Sequence, residues 1–285
     1  MNKCLESFKL FGIPLKGRDP LKRTILALSL SASLLAGQAL AANLPTLRVN
    51  GAPVPAVHAV ENGTTYVGLR AVSRSLDPQA DISWSEDTAA VHGAGLSLAA
   101  TPGLPYLTAN GRYLYIPAGV RAENGRVLVP IRVLADAFGA EVTWNGAAGE
   151  ILVESGSSIP EADYDPDELY WLSRIISAES RGEPLNGRIA VGNVVLNRVA
   201  HPDFPNTIYG VIFDDRWGGQ FEPVRNGTVY QTPTEGSLLA AKLVLEGADV
   251  VDDCLYFLNP VLAQNFWTVE NRPFHTTIGC HDFYR

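Results

Sequence analysis

Apolar residues follow different patterns in the two halves of this chain. Between residues 43 and 156 they come in short runs punctuated by Asn-Gly pairs; after residue 166 they recur three and four positions apart. The first pattern predicts strands joined by tight turns, the second helices with one buried face.

The strand-rich half is a repeat. Asn62-Gly-Thr-Thr-Tyr-Val-Gly-Leu-Arg70 leads into a short apolar helix and then Ile82-Ser-Trp84. Asn124-Gly-Arg-Val-Leu-Val-Pro-Ile-Arg132 leads into another and then Val142-Thr-Trp144. Gly63 to Gly125 and Arg70 to Arg132 are both 62 residues apart, and Trp84 to Trp144 is 60, so the first copy has two extra residues at Asp77-Pro78. Asn-Gly suits the positive backbone angles of a hairpin turn. The helix Arg132–Phe138 puts Val133, Leu134 and Ala137 on one face, and Gly139 stops it. Neither copy could bury much alone, which predicts that the two pack together. Arg70 and Arg132 look like a phosphate-binding pair; the blander reading gives each a backbone carbonyl or carboxylate within its own repeat. Glu154–Asp163 is polar, flexible and poor in apolar residues, the composition of a domain boundary. We therefore expect folded units at 43–156 and 167–285, joined by a linker at 157–166.

The helical half opens on strong signals. Asp165 suits an N-cap and Pro166 a first helical position, while Asp167 and Glu168 complement the helix dipole. Leu169, Leu172, Ile175 and Ile176 form a stripe, and Glu179 falls where the next core residue belongs. A carboxyl on an apolar face is costly to ionise, and its pKa rises. Such an acid can protonate a glycosidic oxygen. Ser180-Arg-Gly-Glu-Pro184 then breaks the helix, so the carboxyl sits at a helix end. Spacing alone equally allows a structural ion pair of Glu179 with Arg181 or Arg198. A second helix, about Gly187–Val199, buries Ile189, Val191, Val194, Val195 and Val199; Asn193 and Asn197 share one of its sides and read as structural. A third, about Thr234–Glu246, carries Leu238, Leu239, Ala241, Leu243 and Leu245, with Gly247 as stop.

Composition adds compartment and partner class. The 285 residues carry a formal charge of −8, which argues against a nucleic-acid binder held by phosphate contacts. Lys22 and Arg23 precede an apolar run from Ile25 to Ala36 and then Ala39-Leu-Ala41, which reads as a secretory signal peptide over 1–41. The run is short for a membrane span, so after cleavage no stable span is expected. The mature chain keeps Cys254 and Cys280, which an extracytoplasmic compartment allows either to bridge or to remain buried thiols.

Ile175-Ile-Ser-Ala-Glu-Ser-Arg-Gly-Glu-Pro184 and Gly187-Arg-Ile-Ala-Val-Gly-Asn-Val-Val-Leu-Asn-Arg-Val199 resemble the spore cortex-lytic enzyme and cell-wall hydrolase family. Phe204-Pro-Asn-Thr-Ile208, Gly219-Gln-Phe-Glu-Pro-Val224, Tyr256-Phe-Leu-Asn-Pro260, Trp267 and Ile278-Gly-Cys-His281 follow in the family's order. The resemblance covers about 167–285. It implies a lysozyme-like α+β domain that cleaves peptidoglycan glycan strands, with Glu179 as catalytic acid and Glu183 in a structural or secondary role. The repeats resemble the copper amine oxidase N-terminal-like stalk domain of exported bacterial proteins, here a small duplicated α+β unit. That resemblance implies a spacer or wall-contact module and no copper site, since the segment holds only His58 and His92. Gly68 departs from the motif, which has Pro there, as at Pro130.

Retaining and inverting glycosidases use two facing carboxylates. Here Asp214, Asp215, Glu222 and Asp249 are scattered in loops or caps. A single acid suits lytic transglycosylation, which needs no metal or other cofactor; a hydrolytic muramidase is the near alternative. Gln220, Phe221, Asn259 and Trp267 combine amides and aromatic faces and are the candidate glycan-binding residues. The expected partner is peptidoglycan, with any accessory protein unspecified, and the expected location is the cell wall or spore. Three other readings compete. A zinc amidase acting as an N-acetylmuramoyl-L-alanine amidase would draw on His201, His275 and His281, which form no short ligand motif. A cysteine peptidase would need a base beside Cys254 or Cys280. A non-catalytic wall-binding protein would need neither.

Overall fold

The computed structural model describes residues 44–216, 219–263 and 267–285. The expected signal peptide lies outside them. β1 (Thr46–Val49) and β2 (Ala52–Val54) form a hairpin. The first repeat is β3 (Val57–Glu61), β4 (Thr64–Gly68), α1 (Leu69–Leu76), β5 (Asp81–Ser85) and β6 (Thr88–Gly93). Three strands intervene: β7 (Leu96–Ala100), β8 (Tyr106–Ala109) and β9 (Arg112–Tyr115). The second repeat is β10 (Arg121–Glu123), β11 (Arg126–Pro130), α2 (Ile131–Ala137), β12 (Glu141–Asn145) and β13 (Glu150–Glu154).

The two copies meet about a local two-fold. β4 and β11 pair antiparallel, with Val67 opposite Val129, its own counterpart 62 residues on, and Tyr66 opposite Pro130. Each repeat enters this pairing through an Asn-Gly turn with φ of +48° and +75° at Asn62-Gly63 and +49° and +71° at Asn124-Gly125. α1 and α2 then drop Leu69, Val72, Ile131 and Leu134 into one shared core. The copies diverge beyond their helices. β6 joins β5 and β7–β9 in a five-stranded meander, whereas β13 pairs with β12 and, in parallel, with β1. Arg70 and Arg132 do not pair within their repeats: both are exposed, and among the described residues neither makes a hydrogen bond or ion pair. Each follows the buried first residue of its helix and so falls on the solvent side.

The second half is helical with a terminal sheet, making the whole α+β. Its elements are α3 (Pro166–Ser180), α4 (Leu185–Ala200), α5 (Ile208–Ile212), α6 (Glu222–Asn226), α7 (Glu235–Leu245), β14 (Tyr256–Leu258), α8 (Trp267–Asn271), β15 (Phe274–Ile278) and β16 (His281–Tyr284). Asp165 caps α3 by accepting from the Asp167 and Glu168 amides at 2.9 and 3.0 Å, and Thr234 caps α7 by accepting from Ser237. Leu172, Ile175, Ile189, Val195, Leu243 and Val244 fill the space between α3, α4 and α7. A smaller cluster of Ala190, Val194, Val251, Cys254 and Phe283 seats the order β14-β16-β15 against α4. Leu238, expected in the core of α7, is 37% exposed; Ala240 and Ala241 take the inner positions. Cys254 is a free, buried thiol, its pKa pushed up to about 11 by burial, while Cys280 is exposed on the β15–β16 turn, so the two are not bridged.

The segment after β13 lies along the first half instead of running free. Ile159 packs on that core, the Ala162 amide donates to the Asn110 carbonyl at 3.1 Å, and the Asn110 side chain reaches the Pro160 carbonyl at 3.4 Å. One apolar anchor and two hydrogen bonds suffice to hold a polar stretch down.

Candidate active site

α3 carries Glu179 in its last turn because Leu172, Ile175 and Ile176 fix which face of that helix looks inward. The carboxyl is only partly exposed. Among the described residues it makes no hydrogen bond and no ion pair within 4.0 Å, so neither pairing that the spacing allowed is formed. Burial pushes its pKa up to about 7, opposed by the positive field of Arg198 and reinforced by the negative field of Glu222.

Arg198 is the cation of this site. It stands in the last turn of α4, 5% exposed, and its Nε donates to the Leu255 carbonyl at 2.8 Å. Its guanidinium lies 5.1, 5.2 and 5.7 Å from the ring centres of Phe204, Phe221 and Tyr256. Nη1 is buried without a hydrogen-bond partner. Burial lowers its pKa to about 10, which still leaves it charged at neutral pH. Sequence reasoning offered Arg198 only as an ion-pair partner of Glu179. The missed signal was a guanidinium three and four residues after the buried Val195 and Val194, on the inward side of α4.

The glycan-binding candidates divide. Trp267 is 48% exposed and sits edge-on to Tyr256 at 6.2 Å, extending the run Phe204–Tyr256 outward from Arg198. Arg272 lies over both rings, 4.6 Å from Tyr256 and 5.3 Å from Trp267. Phe221 is a correction: it is 3% exposed, inside the helical core beneath Arg198, and has no free face for a sugar. Its ring pairs with the guanidinium and with apolar neighbours, which is why it is drawn inward. Gln220 is half-buried, with its backbone N–H donating to the Asp214 carbonyl at 3.2 Å. Asn259 follows β14 and accepts from the Val261 amide at 3.0 Å, closing a turn.

Of the four scattered carboxylates, three are occupied and one is exposed. Asp214 holds Arg216 through two bonds of 2.8 Å, and that guanidinium keeps its pKa below the ordinary value. Glu222 pairs with Arg225. Asp249 accepts from the Val251 amide and closes a turn, and Asp215 is exposed. Glu183 accepts from the Cys280 amide at 2.9 Å and so ties the start of α4 to the β15–β16 turn. Asn193 and Asn197 fasten α4 to the 248–254 loop by bonding to Ala248, Val250, Asp252 and Cys254. Among the described residues no three His, Cys, Asp or Glu side chains gather in a set that could hold a metal ion. No helix among them is long and apolar enough to cross a membrane.

Comparison with known proteins shows what each half of the chain is similar to. Residues 182–284 match the Cell Wall Hydrolase family, and Glu179 stands three residues before the matched span. Residues 48–153 match the copper amine oxidase N-terminal domain. A spore cortex-lytic enzyme of Bacillus cereus is 38% identical over 128 residues, 45% of this chain and 48% of that protein. Another, from Halalkalibacterium halodurans, is 34% identical over 134 residues, 47% of this chain and 39% of that protein. The chain thus spans about half or less of the length of these curated relatives. The solved catalytic domain of the germination-specific lytic transglycosylase SleB from Bacillus anthracis is 36% identical, with 44% of this chain covering 100% of that one at a TM-score of 0.40. The C-terminal half of the chain therefore carries a domain of the cell wall hydrolase family, preceded by a copper amine oxidase N-terminal-like domain.

Proposed function

We propose that this chain is an exported enzyme that cleaves peptidoglycan glycan strands, with Glu179 as its acid and then its base. One observation carries the reading: a carboxyl at a helix end, unpaired, with a pKa raised to about 7, so that half of it is protonated near neutral pH. Protonated Glu179 gives its proton to the glycosidic oxygen between N-acetylmuramic acid and N-acetylglucosamine. The C1–O bond breaks, leaving an oxocarbenium-like muramoyl centre. The Glu179 carboxylate then takes the proton of the muramoyl 6-hydroxyl, whose oxygen closes on C1 to give a 1,6-anhydro ring. The acid is regenerated and no water is consumed. Arg198, buried beside Glu179, supplies the positive field that favours its carboxylate form, and Trp267 offers a ring face for the glycan. The names of the relatives support spore cortex or wall peptidoglycan as substrate.

Glu222 favours a second reading, because it is the carboxylate whose field reaches Glu179. With Glu222 activating water, the products would carry reducing muramic ends. Mass spectrometry of digested muropeptides separates the two: anhydro ends support transglycosylation, and reducing ends support hydrolysis. Glu179→Gln is expected to cut release of soluble muropeptides by about 10²-fold or more, with the fold intact by circular dichroism. Lysis at the unsubstituted rate would remove Glu179 from the mechanism.

A further inference from the structure

The arginines of the stalk domain separate into two groups. Arg48, Arg112 and Arg121 are spent on Glu150, on Asp136 and Glu246, and on Glu61. Arg70, Arg74, Arg126 and Arg132 are exposed and, among the described residues, their side chains make no ion pair or hydrogen bond. The first three line one cavity of about 670 Å³, together with His58 and Trp84. No Asp or Glu is among the residues lining it. In a chain of net charge −8, three unneutralised guanidinium groups around one hollow are an unusual concentration of positive potential.

The local two-fold repeats only one of these three charges, Arg70 at Arg132. The counterpart of Arg74, 62 residues on, is Asp136, and Arg126 corresponds to Thr64 in the first copy. Gly68 takes the position of Pro130, and a Cβ there would already stand 3.2 Å from the His58 ring nitrogen. The departure of Gly68 from its repeat thus leaves room for the imidazole at the cavity wall. Trp84 closes the hollow with a ring that is 52% exposed.

We propose that this cavity binds an acidic sugar: an oxyanion, carboxylate or phosphate, held by Arg70, Arg74 and Arg126, with the pyranose ring against Trp84. Guanidinium forks match both oxyanions in two-point geometry, and an indole face suits the CH side of a pyranose. The site stands independently of the catalytic reading, since none of its residues lies in the helical half.

The test uses the full chain carrying Glu179→Gln, with the tryptophan indole N–H resonances followed by NMR and the Trp84 signal assigned by Trp84→Phe. The probes are N-acetylmuramic acid, N-acetylglucosamine 1-phosphate and neutral N-acetylglucosamine. We expect the Trp84 signal to move with an acidic sugar and to stay still with the neutral one. Arg70→Ala combined with Arg126→Ala is expected to weaken that binding by about tenfold or more. Both side chains are exposed, so the fold survives; Arg126→Ala alone, at the start of β11, gives a smaller loss in the same direction. Response to N-acetylmuramic acid alone supports a carboxylate ligand, response to the phosphate alone supports a phosphate ligand, and response to both supports a general oxyanion site. No response to either acid, an equal response to the neutral sugar, or unchanged affinity in the double variant overturns the proposal.

Discussion

Glu179 holds its proton because burial withholds water from it and, among the described residues, no partner stands close enough to repay ionisation. That has a thermodynamic consequence with a definite sign. Its folded pKa of about 7 lies above the ordinary value of 4.5, so the folded state binds more protons than the unfolded one across that window. Stability therefore falls as pH rises from about 4.5 to about 7 and stays lowered above it. Glu179→Gln removes this slope and is expected to stabilise the chain at pH 8 by on the order of 1–3 kcal/mol while changing little at pH 4. Urea unfolding of both proteins at the two pH values checks this, and equal differences at both would contradict the buried-acid assignment. In the proposed mechanism the same protonation sets the rate profile, since there the acid form donates. Activity is expected to fall on the alkaline side with a limb near pH 7. Arg198 holds that limb down, because its charge favours the carboxylate. Arg198→Gln keeps a donor for the Leu255 carbonyl but removes the charge, so the limb moves to higher pH. A pH–rate profile with an unmoved limb would show that the two groups do not communicate.

Between elements, the decisive contacts are those that close α4 against the sheet. Glu183 reaches the Cys280 amide across the β15–β16 turn, and Gly279 permits it in two ways: φ is +64°, and a Cβ there would collide with the Glu183 carboxylate. Gly279→Ala is expected to cost about 1–3 kcal/mol by thermal unfolding, because both the backbone strain and the displaced carboxylate count. A loss under about 0.5 kcal/mol would mean that the turn relaxes freely. Much at this scale was legible beforehand. The N-cap of α3, the stop after α2 and the two Asn-Gly turns are written in local residue chemistry that tertiary packing leaves alone. The meander β7–β9 was not, although Asn110-Gly111 carries the same turn signal with φ of +48° and +81°, because it lies outside the repeat that organised the reading. Phe221 was misplaced for a related reason. An aromatic beside a glycine-containing loop looks like a binding surface until the buried guanidinium that attracts it is known, and that contact joins residues 198 and 221 across the fold.

At the scale of the whole molecule, composition suggested two units on a loose tether, and the structure shows them fastened. The polarity of Glu154–Asp163 was read as freedom, but a hydrogen-bonding segment settles wherever a neighbour supplies partners, and Asn110 supplies two. The larger joint is chemical. Tyr106, Tyr113 and Tyr115 pack on the helical core, Tyr115 donates to Asn186 at 3.0 Å, and Arg112 bridges Asp136 in one half to Glu246 in the other. The Arg112 and Glu246 side chains are 13% and 11% exposed, so their attraction is little screened and neither tolerates losing the other. A double-mutant cycle on Arg112→Ala and Glu246→Ala is expected to return a coupling of about 1–3 kcal/mol, above what an exposed pair would give. Because this pair joins the two cores, its loss should also change how the chain melts. Calorimetry of Arg112→Ala is expected to resolve two transitions where the unsubstituted chain shows one, as each core becomes free to unfold alone. If the variant still melts in a single transition and the coupling is near zero, the joint is held by the tyrosines, and Tyr113→Ala becomes the substitution that separates the halves.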